Sequence, residues 1–81
     1  MITVYTKNNC PQCMMTKHFL KDHHMDFEEI NVDDNMEAKQ LLIEKNLLQL
    51  PVVTNNEEWI SGFQPQRLQQ LKEKMPRESE R

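Results

Sequence analysis

The chain of 81 residues holds two cysteines, Cys10 and Cys13, in the stretch "KNNCPQCMM". Two thiols at this spacing can form a redox couple, supply half of a metal site, or sit buried as inert small residues. In the redox case a thiolate attacks a disulfide sulfur, and the second thiol resolves the mixed disulfide that forms. A structural staple is excluded, because the ring they close is too short to restrain a fold. Zinc needs about four ligands. The histidines are His18, His23 and His24, all on the segment that follows the cysteines. On a helix His18 is turned about 140° from Cys13, and His23 lies about 15 Å further along the axis. No set of four converges within one chain, while a metal centre shared between two chains stays open.

The surrounding pattern decides among these readings. "ITVYT" (2–6) is β-branched and aromatic and reads as a strand. Pro11 fits a first helical position, and no glycine or further proline interrupts the residues after it. Cys13, Thr16 and Leu20 then share one helix face. "FEEINV" (27–32) reads as a second strand with Ile30 and Val32 on one side. "DDNMEAKQLLIEKN" starts with acids and places Ala38, Leu41 and Leu42 on one face of a second helix. "LPVVT" (50–54) and "WIS" flank the turn signal "NNEE" and predict a hairpin. "PQRLQQLKEKM" (65–75) is a third helix with Leu68, Leu71 and Met75 on its apolar face. The order β-α-β-α-β-β-α implies an α/β domain. Its first two strands are parallel through a right-handed crossover, its hairpin is antiparallel, and three helices flank a four-stranded mixed sheet.

Cys10 therefore falls where the first strand hands over to the first helix, the context in which a Cys-x-x-Cys pair signals redox function. Free N–H groups and the helix dipole stabilise a thiolate there, and Lys7 adds a nearby cation. Thiols so placed are acidified. Cys13, one turn on, is expected to be less exposed and less acidic, which suits attack by Cys10 and resolution by Cys13.

Bulk properties bound the rest. The length allows one small domain, taken as residues 1–75, with a charged, disordered tail at 76–81. The net charge of -3 argues against nucleic acid, which selects basic patches. No apolar run approaches the roughly 20 residues of a membrane span, and the first residues lack the pattern of a signal peptide. The default location is the cytoplasm, where a disulfide is transient and catalytic. Two further landmarks remain. Pro51, in "QLPVV", either ends a loop or forms a cis bond that exposes the backbone of Leu50 to an incoming strand. Gly62, the one glycine in the chain, marks a turn or a close backbone approach in "WISGF". Trp59 and Phe63 beside it read as core residues before contact residues.

Taken together, "YTKNNCPQC", "LPVV" and "SGFQP" resemble the NrdH-type glutaredoxin-like redoxins, and the likeness runs from Ile2 to about Leu71. The resemblance implies a thioredoxin-like fold and electron transfer to class Ib ribonucleotide reductase, with recharging by thioredoxin reductase. It implies no cofactor, and the chain is expected to act as a monomer. It carries the attacking thiol onto Cys10, the resolving thiol onto Cys13 and the cis-proline onto Pro51, and places Ser61, Gly62 and Phe63 beside the active site with Leu50. Two positions depart from the family pattern. Ile60 separates Trp59 from Ser61, which on a strand turns the tryptophan to the other face. Pro11 follows the first cysteine as in ordinary glutaredoxins, which makes a glutathione-dependent glutaredoxin the rival. Such proteins hold glutathione with a Gly-Gly-x-Asp segment, and Ser61-Gly62-Phe63-Gln64 lacks its first glycine and its carboxylate. A thioredoxin-fold module holding a [2Fe–2S] cluster across a dimer is the other alternative, since two cysteines per chain could ligate one.

Overall fold

The computed structural model describes residues 2–74. Along the chain run β1 (Ile2–Thr6), α1 (Pro11–Asp22), β2 (Phe27–Asn31), α2 (Met36–Glu44), β3 (Val52–Thr54), β4 (Trp59–Ser61) and α3 (Pro65–Lys74). The sheet order is β2-β1-β3-β4. β1 and β2 are parallel, whereas β3 is antiparallel to both β1 and β4. This is the mixed four-stranded sheet with three helices that the sequence implies, in a thioredoxin-like fold.

Side-chain alternation along the strands divides the interior in two. Ile2, Val4, Val53 and Ile60 point to one face and meet Leu20 of α1 with Leu68 and Leu71 of α3. Tyr5 and Val52 point to the other face and meet Ala38 and Leu42 of α2, with Trp59 packed alongside. The sheet is covered on both faces, so β1 is buried at nearly every position. Ile60 takes the first face and Trp59 the second, where the indole stacks on Tyr5 at 6.3 Å between centroids. Lys45 Nζ lies 4.6 Å above the same indole.

Several boundaries differ from the sequence reading. β2 ends at Asn31; Val32 has left the strand, though its N–H still donates to the Thr6 carbonyl at 2.8 Å. α2 does not start in the acidic pair: Asn35 caps it, its side chain accepting from the Ala38 N–H. Asp33 and Asp34 precede the cap in the turn. Leu41 is 37% exposed, whereas Ala38 and Leu42 are buried. The two buried residues are four apart and stack along the helix, so the stripe is narrow and Leu41, one residue before Leu42, lies about 100° off it. β3 starts at Val52, after Leu50 and Pro51. The hairpin turn is held by Asn55, whose Oδ1 accepts from the N–H groups of Glu57 and Glu58. Met75 and the expected charged tail at 76–81 lie outside the described residues.

Candidate active site

The site forms at the end of β1. After Thr6 the chain passes through Lys7, Asn8 and Asn9 and enters α1 at Pro11. The short loop is pinned to the turn after β2: the Asn8 N–H donates to Asp33 Oδ2 at 2.8 Å, and Asn31 Nδ2 donates to Asn8 Oδ1 at 3.0 Å. Asn9 turns the chain with φ of 56°, a left-handed conformation that asparagine tolerates better than most residues. Cys10 follows as the N-cap of α1, with extended backbone, and Pro11 takes the first helical position, where its missing N–H would have been unpaired in any case.

Cys10 and Cys13 are joined in a disulfide, their Cα atoms 5.2 Å apart. The Cys13 N–H donates to Cys10 Sγ at 3.1 Å. One of the free N–H groups at the helix start thus points at the Cys10 sulfur, where a negative charge would be stabilised. Cys10 is 7% exposed and Cys13 2%. Cys13 shares the sheet-facing side of α1 with Thr16 and Leu20. Cys10 borders an open cleft of about 660 Å³, whose walls include Lys7, Pro11 and Gln12 on one side and Leu48, Gln49 and Leu50 on the other. A smaller apolar groove, lined by Leu42, Ile43 and Leu47, lies between α2 and the same Leu48 and Leu50.

Pro51 ends the segment opposite the disulfide, and the Leu50–Pro51 peptide bond is cis. The Pro51 carbonyl accepts from the Gly62 N–H at 2.8 Å. Among the described residues, the Leu50 N–H and C=O find no hydrogen-bond partner in the chain. Ser61 and Gly62 stand one layer behind the cleft and act on it through Gln49. Ser61 Oγ donates to the Gln49 carbonyl. Gly62 has φ of 79°, and a Cβ there would meet the Gln49 side-chain amide at 3.3 Å. Gln64 Nε2 donates to the Ser61 carbonyl. Phe63 turns inward, edge-on to Phe19 at 6.4 Å, and packs against the core. Sequence reasoning passed over Leu48, Gln49 and Asn9. Asn9 carried a signal, being an asparagine just before a helix start. Gln49 carried none, because its place depends on the long-range contact with Ser61. Among the described residues no group of three or more side chains is arranged to hold a metal ion, and no helix is long and apolar enough to cross a membrane.

Residues 2–60 match the model of the glutaredoxin family. The chain belongs to the glutaredoxin family. Within it, the chain is 44% identical to the glutaredoxin-like protein NrdH of Lactococcus lactis over 71 residues, covering 88% of this chain and 99% of the relative. It is 43% identical to the Escherichia coli NrdH protein over 70 residues, 86% of each chain. The solved structure of the E. coli NrdH-redoxin superposes with a TM-score of 0.85 at 41% identity, covering 94% of this chain and 96% of that one. This family member is an NrdH-type redoxin, a thiol–disulfide oxidoreductase carrying the Cys10–Cys13 pair.

Proposed function

We propose that the protein passes electrons from thioredoxin reductase to a protein disulfide, that of class Ib ribonucleotide reductase, acting as a monomer in the cytoplasm. In the reduced form Cys10 is the attacking thiolate. It bonds to one sulfur of the substrate disulfide and expels the other as a thiolate, which takes up a proton. Cys13 then gives up its proton and attacks Cys10 Sγ. The Cys10–Cys13 bond re-forms, and the second substrate sulfur leaves as a thiol. Two electrons have moved to the substrate, and the reductase dithiol returns them to the couple. The Leu50 backbone pairs with the extended substrate segment, Pro51 fixes its presentation, and Lys7 favours the thiolate by its charge.

One observation carries the choice of donor. In the stretch that would hold glutathione, Ser61, Gly62 and Gln64 are engaged with their own chain. The Ser61 hydroxyl is bonded to Gln49, the Gln64 amide folds back onto Ser61, and the Gly62 N–H is bonded to Pro51. No carboxylate stands there to meet the ammonium of a γ-glutamyl group. The E. coli relative, described as a glutaredoxin-like protein with a thioredoxin-like activity profile, supports the same reading. The acceptor rests on the resemblance to NrdH-type redoxins.

The test offers the oxidised protein NADPH with thioredoxin reductase, or NADPH with glutathione and glutathione reductase. Rapid NADPH loss is expected in the first mixture and slow loss in the second. The reverse preference would make the protein a glutathione-dependent glutaredoxin.

A further inference from the structure

Three threonines are buried, Thr6, Thr16 and Thr54. Two have partners: Thr6 Oγ1 donates to Glu29 at 2.8 Å, and Thr54 Oγ1 accepts from the Asn56 N–H at 3.0 Å. Thr16 is 0% exposed, and among the described residues its hydroxyl has no hydrogen-bond partner. A buried hydroxyl in a helix commonly bonds back to the carbonyl four residues earlier; Thr16 does not. Burying a hydroxyl unpaired is unfavourable, so its position calls for an explanation. Thr16 lies three residues after Cys13 on the same buried face of α1. Side chains at that spacing are neighbours, with Cβ atoms about 5–6 Å apart. In the oxidised protein the Cys13 sulfur is tied to Cys10.

We propose that Thr16 is a positioning residue for the redox couple: its hydroxyl donates a hydrogen bond to Cys13 Sγ once the Cys10–Cys13 disulfide is reduced, and so favours the dithiol form. Reduction by a dithiol breaks the S–S bond. The donor becomes a disulfide and supplies two electrons and two protons. Cys13 keeps one proton as a thiol, and Cys10 keeps the other or releases it to solvent as a thiolate. The freed Cys13 sulfur can then turn toward Thr16. The oxidised form carries an unmet hydroxyl that the reduced form satisfies. The inference rests on the couple alone, whichever cysteine attacks and whichever partner is served.

The experiment equilibrates the full chain with mixtures of reduced and oxidised dithiothreitol and counts free thiols after acid quenching. Thr16→Val keeps the shape of the side chain and removes the hydroxyl. It should shift the equilibrium about tenfold toward the disulfide, which is a potential about 30 mV more negative. Thr16→Ser, which restores the hydroxyl, should lie within about twofold of the parent, well short of that shift. Should the valine variant fail to fold, Thr16→Ala is read in the same way. A purely packing role would alter the stability of both redox forms equally and leave the potential in place. A Val equilibrium within about twofold of the parent, well short of one 30 mV step, overturns the proposal, as does a Ser variant that shifts as far as Val. A hydroxyl satisfied equally in both redox states would give the first of these results.

Discussion

Ser61 Oγ donates a 2.7 Å hydrogen bond to the carbonyl oxygen of Gln49. The bond links the end of β4 to the segment that forms the far wall of the cleft beside Cys10. A side chain twelve residues further along the chain thus holds the segment that carries Leu50. Ser61→Ala frees that carbonyl and loosens the wall. One hydrogen bond of this kind contributes about 0.5–1.5 kcal/mol, so kcat/KM for a protein disulfide should fall roughly two- to tenfold. The loss should appear in KM. A small disulfide needs no backbone pairing, and its reduction should fall less. Steady-state rates with both substrates check this, and equal losses would show that the wall does not take part in docking.

Gly62 meets the same glutamine from the other side. Its φ of 79° suits glycine, and an added Cβ would press on the Gln49 amide at 3.3 Å. The left-handed backbone costs other residues about 1–2 kcal/mol, so Gly62→Ala should lower stability in urea unfolding by at least that amount, with the crowding of Gln49 added to it. In a Gln49→Ala background the steric part disappears and the backbone part stays. A loss abolished entirely by Gln49→Ala would mean that crowding was its sole cause.

The sheet was legible because β-branched and aromatic runs alternate cleanly. Ile2 and Val4 face one layer while Tyr5 faces the other, as a period of two requires. The redox pair was legible because its spacing and its strand-to-helix position are local facts. Leu41 was misplaced because an apolar residue beside a buried stripe looks the same in sequence whether the stripe is wide or narrow. The sequence starts α2 three residues early, because Asp33 and Asp34 resemble a helix's first turn, while Asn35 is the cap. Gln49 and Thr16 stayed silent for a further reason. The place of one depends on a partner twelve residues away, and that of the other on the absence of any partner.

Glu29 gives the fold a signature in acid. Thr6 Oγ1 donates to it, and so does Lys17 Nζ at 3.1 and 3.2 Å. The Thr6 hydrogen bond, with the bond and charge of Lys17 and the charge of Lys21, holds its carboxyl below the ordinary 4.5, against a smaller opposing effect of burial. A carboxyl whose pKa is depressed by folding contributes stability that is fully present above its unfolded pKa and lost as pH falls through the folded value. The parent should therefore exceed Glu29→Gln in stability at neutral pH by a margin that stays constant down to about pH 5 and closes as the pH falls further. Lys17 is partly exposed, so the margin is small and shrinks in high salt. Urea midpoints from pH 7 to pH 3 measure it. A margin that grows toward acid pH would mean that folding raises this carboxyl's pKa.

The last prediction concerns the division of labour between the thiols. Cys10 caps α1, borders the cleft and receives the Cys13 N–H on its sulfur. Cys13 faces the sheet and is the less exposed of the two. The thiolate is the reactive species, and charge at a helix start is stabilised by the unpaired N–H groups. In the reduced protein Cys10 should therefore react first with a limiting alkylating agent at neutral pH, as read by mass spectrometry of the digested chain. Cys13→Ser should still attack a substrate disulfide but be unable to resolve the product, and the mixed disulfide should accumulate on a non-reducing gel. Cys10→Ser should form no such adduct and reduce protein disulfides at the background rate, because the buried Cys13 sulfur cannot reach a docked substrate. Preferential alkylation of Cys13, or an adduct trapped by Cys10→Ser and not by Cys13→Ser, would reverse the roles. The helix start would then serve to stabilise Cys10 as the leaving thiolate when the electron donor attacks Cys13 of the disulfide.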